Sequence, residues 1–309
     1  ASGTLGTALL AALSTHPSLS LTILTRSSSS SSSPHFPPHI PVRTVSPALT
    51  LAELTAAFRG HDAVVNALTT AGDELGKRVV DACVAAGVRR LVTGDFGGDT
   101  ANAEARGLVP VFEAKGRVVE YARGREGEGG EGEGEGGGFA WTAVATGSWI
   151  DWTLANGFLK IDVRGRKAKV FDSGTHKFTA VTLANVAHAT ARTLLLDDPA
   201  ATANRYLYFQ DFACSQRDIL AELERQTGEK WTVESVASET EIARARERLA
   251  EGDVEAGYDL VAISAVGDAE VPRGTWFEET GLELANDLVG GLPKVTLEDV
   301  VKGVLEKAH

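Results

Sequence analysis

Short apolar runs alternate along this chain with segments whose apolar residues recur at helical spacing. The first helical run spans Thr7 to Leu13, and Leu19 to Thr25 reads as a buried strand that ends on Arg26. A short strand near Val42 to Val45 precedes a helix over Leu51 to Phe58, and Asp62 to Leu68 forms the next buried strand. From Glu74 to Ala86, residues Leu75, Val79, Ala82, Cys83 and Ala86 share one helical face, Gly87 caps the helix, and Arg90 to Thr93 begins another strand. Phe139 to Ala145 reads as the sixth strand of the sheet. Further on come a helix near Leu183 to Leu195, a strand over Arg205 to Phe209, and a helix over Arg217 to Thr227, started by the Ser215/Asp218 box and stopped by Gly228. Ser238 and Glu241 start a strongly charged helix that runs to Ala250, and Thr296 precedes a last helix ending near Lys307. Strands alternating with helices in this way predict an α/β chain built on a doubly wound parallel sheet.

Two segments break the alternation. Residues 27–38 combine a serine run with prolines, and residues 124–138 are almost wholly Gly and Glu, a composition that buries no apolar surface and repels itself. Both read as surface insertions, the second as a disordered loop. Of the 309 residues, 43% are hydrophobic and 23% charged, and no apolar run is long enough to cross a membrane, so a soluble globular protein with a sizeable core is expected. A net charge of −12 gives nucleic acid or an anionic membrane no electrostatic attraction at the whole-chain level. Two cysteines, Cys83 and Cys214, without CxxC spacing, read as free thiols of a reducing, cytoplasmic compartment.

The chemistry begins at the first residue. Ala1-Ser2-Gly3-Thr4-Leu5-Gly6 leads directly into the first helix, as in a glycine-rich turn where the backbone approaches a pyrophosphate and free helix-start N–H groups hold its charge. The strand that precedes such a turn is not in the sequence, which also holds no Met, so the chain reads as N-terminally truncated. A first strand of this kind belongs at the sheet centre, and its two neighbours are expected to lack ladder partners. Twenty residues beyond Gly6 stands Arg26. An acidic residue there accepts hydrogen bonds from a ribose 2′-hydroxyl, whereas a guanidinium suits a 2′-phosphate, which points to NADP rather than NAD.

The ordered set Gly3/Gly6, Arg26, Ala82–Gly87 leading into Val88-Arg89-Arg90-Leu91, Asp95-Phe96-Gly97, Phe112-Glu113-Ala114-Lys115, Gly147-Ser148-Trp149-Ile150-Asp151-Trp152 and Thr227-Gly228-Glu229-Lys230-Trp231 resembles the NmrA-like and isoflavone-reductase-like branch of the atypical short-chain dehydrogenases. The resemblance covers nearly the whole chain. It implies a Rossmann-type doubly wound parallel sheet with a smaller C-terminal α+β substrate domain, divided as an NAD(P)-binding part over 1–147 and a mainly substrate-binding part over 148–309 that returns segments to the sheet. It implies NADPH as cofactor, contacted by Gly3, Thr4, Leu5, Gly6, Arg26, Leu68, Thr93 and Lys115, with Gly147 and Trp149 toward a small, possibly aromatic substrate.

In that branch Lys115 assists hydride transfer by binding the nicotinamide ribose and helping proton movement. Periodicity notices it separately, since Val111, Lys115, Val118 and Ala122 fall on one helical stripe, where a lysine either snorkels to the rim or meets a ligand. Two departures stand out. Val111 replaces the tyrosine of a Tyr-x-x-x-Lys pair, and Gly94-Asp95-Phe96-Gly97 replaces Ser-Glu-Phe-Gly, so a hydroxyl is lost while Thr93 stands one place earlier. Two functions therefore remain: an NADPH-dependent reductase, and a non-catalytic NAD(P)-binding redox sensor of the NmrA type that signals to a protein partner. No metal site is expected, because Pro37 and Pro38 separate His35 from His39, and His61 and His176 occupy positions where solvated histidines are common.

Overall fold

The structure, a computed structural model, describes residues 2–27, 36–68, 72–129, 138–269 and 273–308. From the N-terminus run α1 (Thr4–Ser14), β1 (Ile23–Arg26), β2 (Val42–Val45), α2 (Leu51–Phe58), β3 (Ala63–Val65), α3 (Glu74–Ala86), β4 (Arg90–Val92), α4 (Ala103–Leu108), α5 (Pro110–Arg123) and β5 (Ala140–Ala145). There follow β6 (Ser148–Trp149), α6 (Ile150–Ala155), β7 (Ile161–Asp162), β8 (Lys167–Phe171), β9 (Phe178–Val181) and α7 (Leu183–Leu194). The last stretch holds β10 (Arg205–Tyr208), β11 (Phe212–Cys214), α8 (Gln216–Thr227), β12 (Thr232–Val236), α9 (Ser238–Ala250), α10 (Ala256–Val266) and α11 (Leu297–Ala308). The chain divides into two compact units, one of Ala1–Asp95, Ala114–Val144 and Ala187–Leu207, the other of Phe96–Glu113, Ala145–Val186 and Tyr208–His309.

In the first unit the strands form two sheets. β1 pairs in parallel with β2, and β3, β4 and β5 form a parallel ladder with β10 beside β5. Among the described residues β1 and β3 each have a partner on one side only. Both sheets nonetheless feed one core, in which Leu24 and Val45 join Leu54, Val80, Leu91 and Trp141. Strand β1 is shorter than the apolar run from Leu19 predicts. Its ladder starts where Ile23 N donates to Pro41 O at 2.9 Å, and Pro41 has no N–H with which to continue it. Similarly, β3 stops at Val65: Asn66 N still donates to Val92 O at 3.0 Å, but the Asn66 side chain then accepts Leu68 N at 3.1 Å in a local turn that takes Leu68 off the strand.

The second unit is α+β, with mixed pairing. β9 pairs in parallel with β6 and antiparallel with β11, while β8 pairs in parallel with β12 and antiparallel with β7. Its main core gathers Ile150, Leu154, Phe171, Phe178, Leu223 and Val301, and a smaller cluster holds Leu108, Phe112, Ala245 and Leu260 together.

Two expectations need correction. The Gly/Glu segment is not a free loop over its whole length: Gly127 N donates to Phe139 O at 2.9 Å, Phe139 N to Glu128 O at 2.8 Å, and Trp141 Nε1 to Glu126 Oε1 at 2.8 Å. Arg125 is also ion-paired with Asp81 and Glu128, so both margins are stitched to the first unit. Its middle, 130–137, lies outside the described residues, as do 28–35 of the serine-proline insertion. The charged helix α9 begins at Ser238 itself, with Ala237 before it, so the Ser238 hydroxyl does not cap it.

Candidate cofactor-binding site

Gly3 is the residue before α1, with φ −79° and ψ 171°, and no side chain caps the helix. The helical bonding begins with Thr7 N donating to Gly3 O at 2.8 Å, which leaves the N–H groups of Thr4, Leu5 and Gly6 without intrahelical acceptors. Gly3 and Thr4 are exposed, Leu5 half-buried and Gly6 buried. A Cβ built on Gly3 would meet nothing within 4 Å, so the approach to this helix start is open. An uncapped, glycine-flanked helix N-terminus with free N–H groups and its positive dipole end suits a pyrophosphate. Arg26 ends β1 opposite Val45 and is exposed, as a contact with a ribose phosphate requires.

At the end of β4, Thr93 N donates to Thr142 O at 2.9 Å, and the buried Thr93 hydroxyl donates to Asp95 Oδ2 at 2.5 Å. Asp95 is itself only 1% exposed. Across from it Lys115, on α5, donates its Nζ to Asp95 O at 2.5 Å. The amine therefore does not snorkel outward. Burial pushes the Lys115 pKa below the usual lysine value, while the Asp95 carboxylate acts to raise it. The helical stripe that holds Lys115 packs as its spacing implies, with Val118 and Ala122 buried.

Gly94 has a steric reason as well. A Cβ there would stand 3.3 Å from Asn66 Nδ2 and 3.5 Å from Asn66 O, so the position of the missing serine is crowded by the end of β3. The first unit thus carries Gly3 to Gly6, Arg26, Leu68, Thr93 and Lys115, and joins Thr93 to Lys115 through Asp95. Asp95 and Asn66 were not among the sequence candidates. Asp95 stands in the Asp95-Phe96-Gly97 motif, which assigns it no role, and Asn66 falls inside the run that reads as a strand.

Gly147 and Trp149 belong to the second unit. Gly147 has φ +61°, and its N and that of Thr146 donate to Gly97 O at 2.8 and 2.9 Å. A Cβ on Gly147 would fall 2.3 Å from Thr179 O, so no side chain fits. Trp149 is half-buried, donates Nε1 to Thr146 Oγ1 at 3.3 Å, and meets Trp152 edge-on at 5.9 Å between ring centroids. His61 Nδ1 lies 3.1 Å from Phe58 O. His176 is not a solvated turn histidine: it is half-buried, with Nε2 3.2 Å from Thr275 Oγ1. Among the described residues no helix is long and apolar enough to cross a membrane.

Comparison with known proteins adds three findings. A family model described as NAD(P)H-binding matches residues 1–197. The oxidoreductase aprR of Aspergillus flavus is 34% identical over 253 residues, 82% of this chain and 80% of that protein, and the oxidoreductase poxI of Penicillium oxalicum is 29% identical over 99% of this chain and 92% of its own length. Among solved structures, an isoflavone reductase is similar with a TM-score of 0.67 at 17% identity, over 98% of this chain and 96% of its own. The NADPH-dependent quinone oxidoreductase QOR2 of Escherichia coli, complexed with NADPH, is similar with a TM-score of 0.67 at 17% identity, over 98% of this chain and 97% of its own. At those identities the two structures establish a shared fold.

Proposed function

Because this chain belongs to the NAD(P)H-binding family, we infer that it is an NADPH-dependent oxidoreductase that reduces a small aromatic or carbonyl-bearing metabolite in the cytoplasm. The oxidoreductase relatives aprR and poxI support the reaction class. NADPH, when bound, supplies the hydride. The N–H groups of Thr4, Leu5 and Gly6 bind the pyrophosphate, and Arg26 binds the 2′-phosphate that distinguishes NADP from NAD. Leu68, in the turn after β3, and Thr93, just past β4, border the cofactor, and Gly147 and Trp149 contact the substrate.

The observation that carries the reading is the inward-turned Lys115 amine, bonded to Asp95 O beside a buried carboxylate. Reduction of a carbonyl delivers a hydride to carbon and a proton to oxygen. Lys115 Nζ holds that proton and binds the nicotinamide ribose. Burial makes the amine a stronger acid than a surface lysine, which favours proton donation. No tyrosine is needed for this, which accommodates Val111 four residues earlier.

The test is NADPH oxidation against aromatic aldehydes, ketones and quinones. Lys115→Ala is expected to slow turnover by about 10²–10⁴-fold, the usual weight of one acid–base group, with little change in melting temperature. A wild type that binds NADPH and turns over nothing in the panel supports the sensor reading instead. A variant as fast as wild type removes Lys115 from the reaction.

A further inference from the structure

The second unit holds a cation, Arg273, with one buried nitrogen that no described residue answers. Arg273 opens a segment fastened to β9: Thr179 N donates to Thr275 O at 2.8 Å, and Phe277 N donates to Thr179 Oγ1 at 3.1 Å. Next to it Gly274, at φ +64°, is wedged so closely that a Cβ would lie 3.0 Å from Asp99 Cβ and 3.2 Å from Asn102 Cβ. Gly274 therefore leaves no room for a side chain. The Arg273 Nη1 is buried and, among the described residues, has no hydrogen-bond partner.

A guanidinium cannot escape this cost by losing its proton, since it stays charged in proteins even where burial lowers its pKa, as it does here. Buried cationic N–H groups are otherwise matched by an acceptor, and one that is not points to a ligand. Two carboxylates act on Arg273 at a distance, Asp172 and Glu104. Neither answers Nη1. Asp172 is committed to backbone, with Oδ1 accepting Ser238 N at 2.8 Å and Oδ2 accepting Asp268 N at 2.9 Å, and Glu104 is exposed on α4.

His176 lies within the field of Arg273, and its Nε2 is 3.2 Å from the Thr275 hydroxyl. Thr179, to which the segment is fastened, is the residue whose carbonyl excludes any side chain at Gly147, and β6 pairs Trp149 with Val181 of the same strand. The segment that follows Arg273 thus borders the same strand, β9, as the two candidate substrate contacts.

We propose that Arg273, with His176 and the Thr275 hydroxyl, forms an anion-binding subsite in the second unit, and that its ligand is a carboxylate borne by the substrate. The word substrate rests on the reductase reading; the carboxylate subsite does not. A carboxylate matches the planar donor fork of a guanidinium. A phosphate dianion is disfavoured, because Asp172 and Glu104 repel a second negative charge more than a first.

Benzoate is the probe, with benzamide as its neutral counterpart, titrated into the full chain and followed by calorimetry. Benzoate is expected to bind saturably, and Arg273→Gln to weaken it by about tenfold or more, the loss of one charge-assisted contact, while benzamide is unaffected. Thr275→Val, which leaves the guanidinium in place, is expected to weaken benzoate by a smaller factor and guards against misfolding of the first variant. Absent or non-saturable benzoate binding, or equal losses for both probes, overturns the subsite. Benzoate binding that depends on Arg273 in a protein that oxidises no NADPH keeps the subsite and removes the reductase. Conversely, an active reductase whose KM for 4-carboxybenzaldehyde is unchanged in Arg273→Gln keeps the reductase and removes the subsite.

Discussion

Asp95 serves Lys115 with two different atoms. Its backbone carbonyl accepts the amine, and its carboxylate, held by the Thr93 hydroxyl, favours the protonated amine through its charge. Asp95→Asn keeps the shape and removes the charge, so the Lys115 pKa is expected to fall further below the usual lysine value. Each unit of that fall raises the neutral fraction about tenfold at a given alkaline pH. Selective acylation of Lys115, followed by mass spectrometry at pH 8, is therefore expected to speed up in the variant; an unchanged rate would remove Asp95 as a determinant of the amine. Lys115 was legible in the sequence because a lysine interrupts an apolar stripe. Asp95 was not, since its role depends on two contacts from Thr93 and α5 that only folding brings about.

Elements were legible where their ends carry local chemistry. The Ser215 hydroxyl accepts Asp218 N at 3.2 Å and donates to Asp218 Oδ2 at 2.8 Å, and the same Oδ2 accepts Ser215 N at 2.9 Å, which is the box read from the sequence. Ser215→Ala is expected to destabilise the protein by about 1 kcal/mol, seen as a lower urea midpoint with the same slope; no shift would show that tertiary contacts alone hold α8 in place. The predicted helices over Leu51–Phe58 and Glu74–Ala86 match α2 and α3, the latter ending on Gly87 at φ +73°. Strand lengths were less legible because they depend on the partner: the run from Leu19 is cut to β1 by Pro41 in the neighbouring segment. The bonded margins of the Gly/Glu segment are not legible in the sequence for a related reason. Glycine and glutamate have no apolar surface to bury, but Gly127 and Glu128 still offer backbone groups, and Phe139 takes them.

At the scale of the molecule, the alternation of strands and helices identified the α/β class, while the division of the first unit's strands into two sheets and the mixed pairing in the second unit depend on long-range partners. Acid sensitivity is also a property of the whole fold. His176 and His188 both have pKa values lowered from 6.5, first of all by burial. Above 6.5 they are neutral in folded and unfolded chains alike; as the pH falls through that value the unfolded chain takes up protons before the folded one, so stability is lost. A melting temperature some degrees lower at pH 5.5 than at pH 7.5 is expected, with the difference reduced in His176→Gln/His188→Gln; an identical pH response in that double variant would place the sensitivity elsewhere. The central claim, that the first unit is an NADP-selective cofactor domain, is tested most directly by titrating NADPH and NADH into wild type and Arg26→Ala by calorimetry. Wild type is expected to prefer NADPH, and Arg26→Ala to lose about 1.5–3 kcal/mol for NADPH alone, the worth of a charge-assisted contact to the 2′-phosphate. Equal affinity of wild type for the two cofactors, or a preference unchanged in Arg26→Ala, would contradict it.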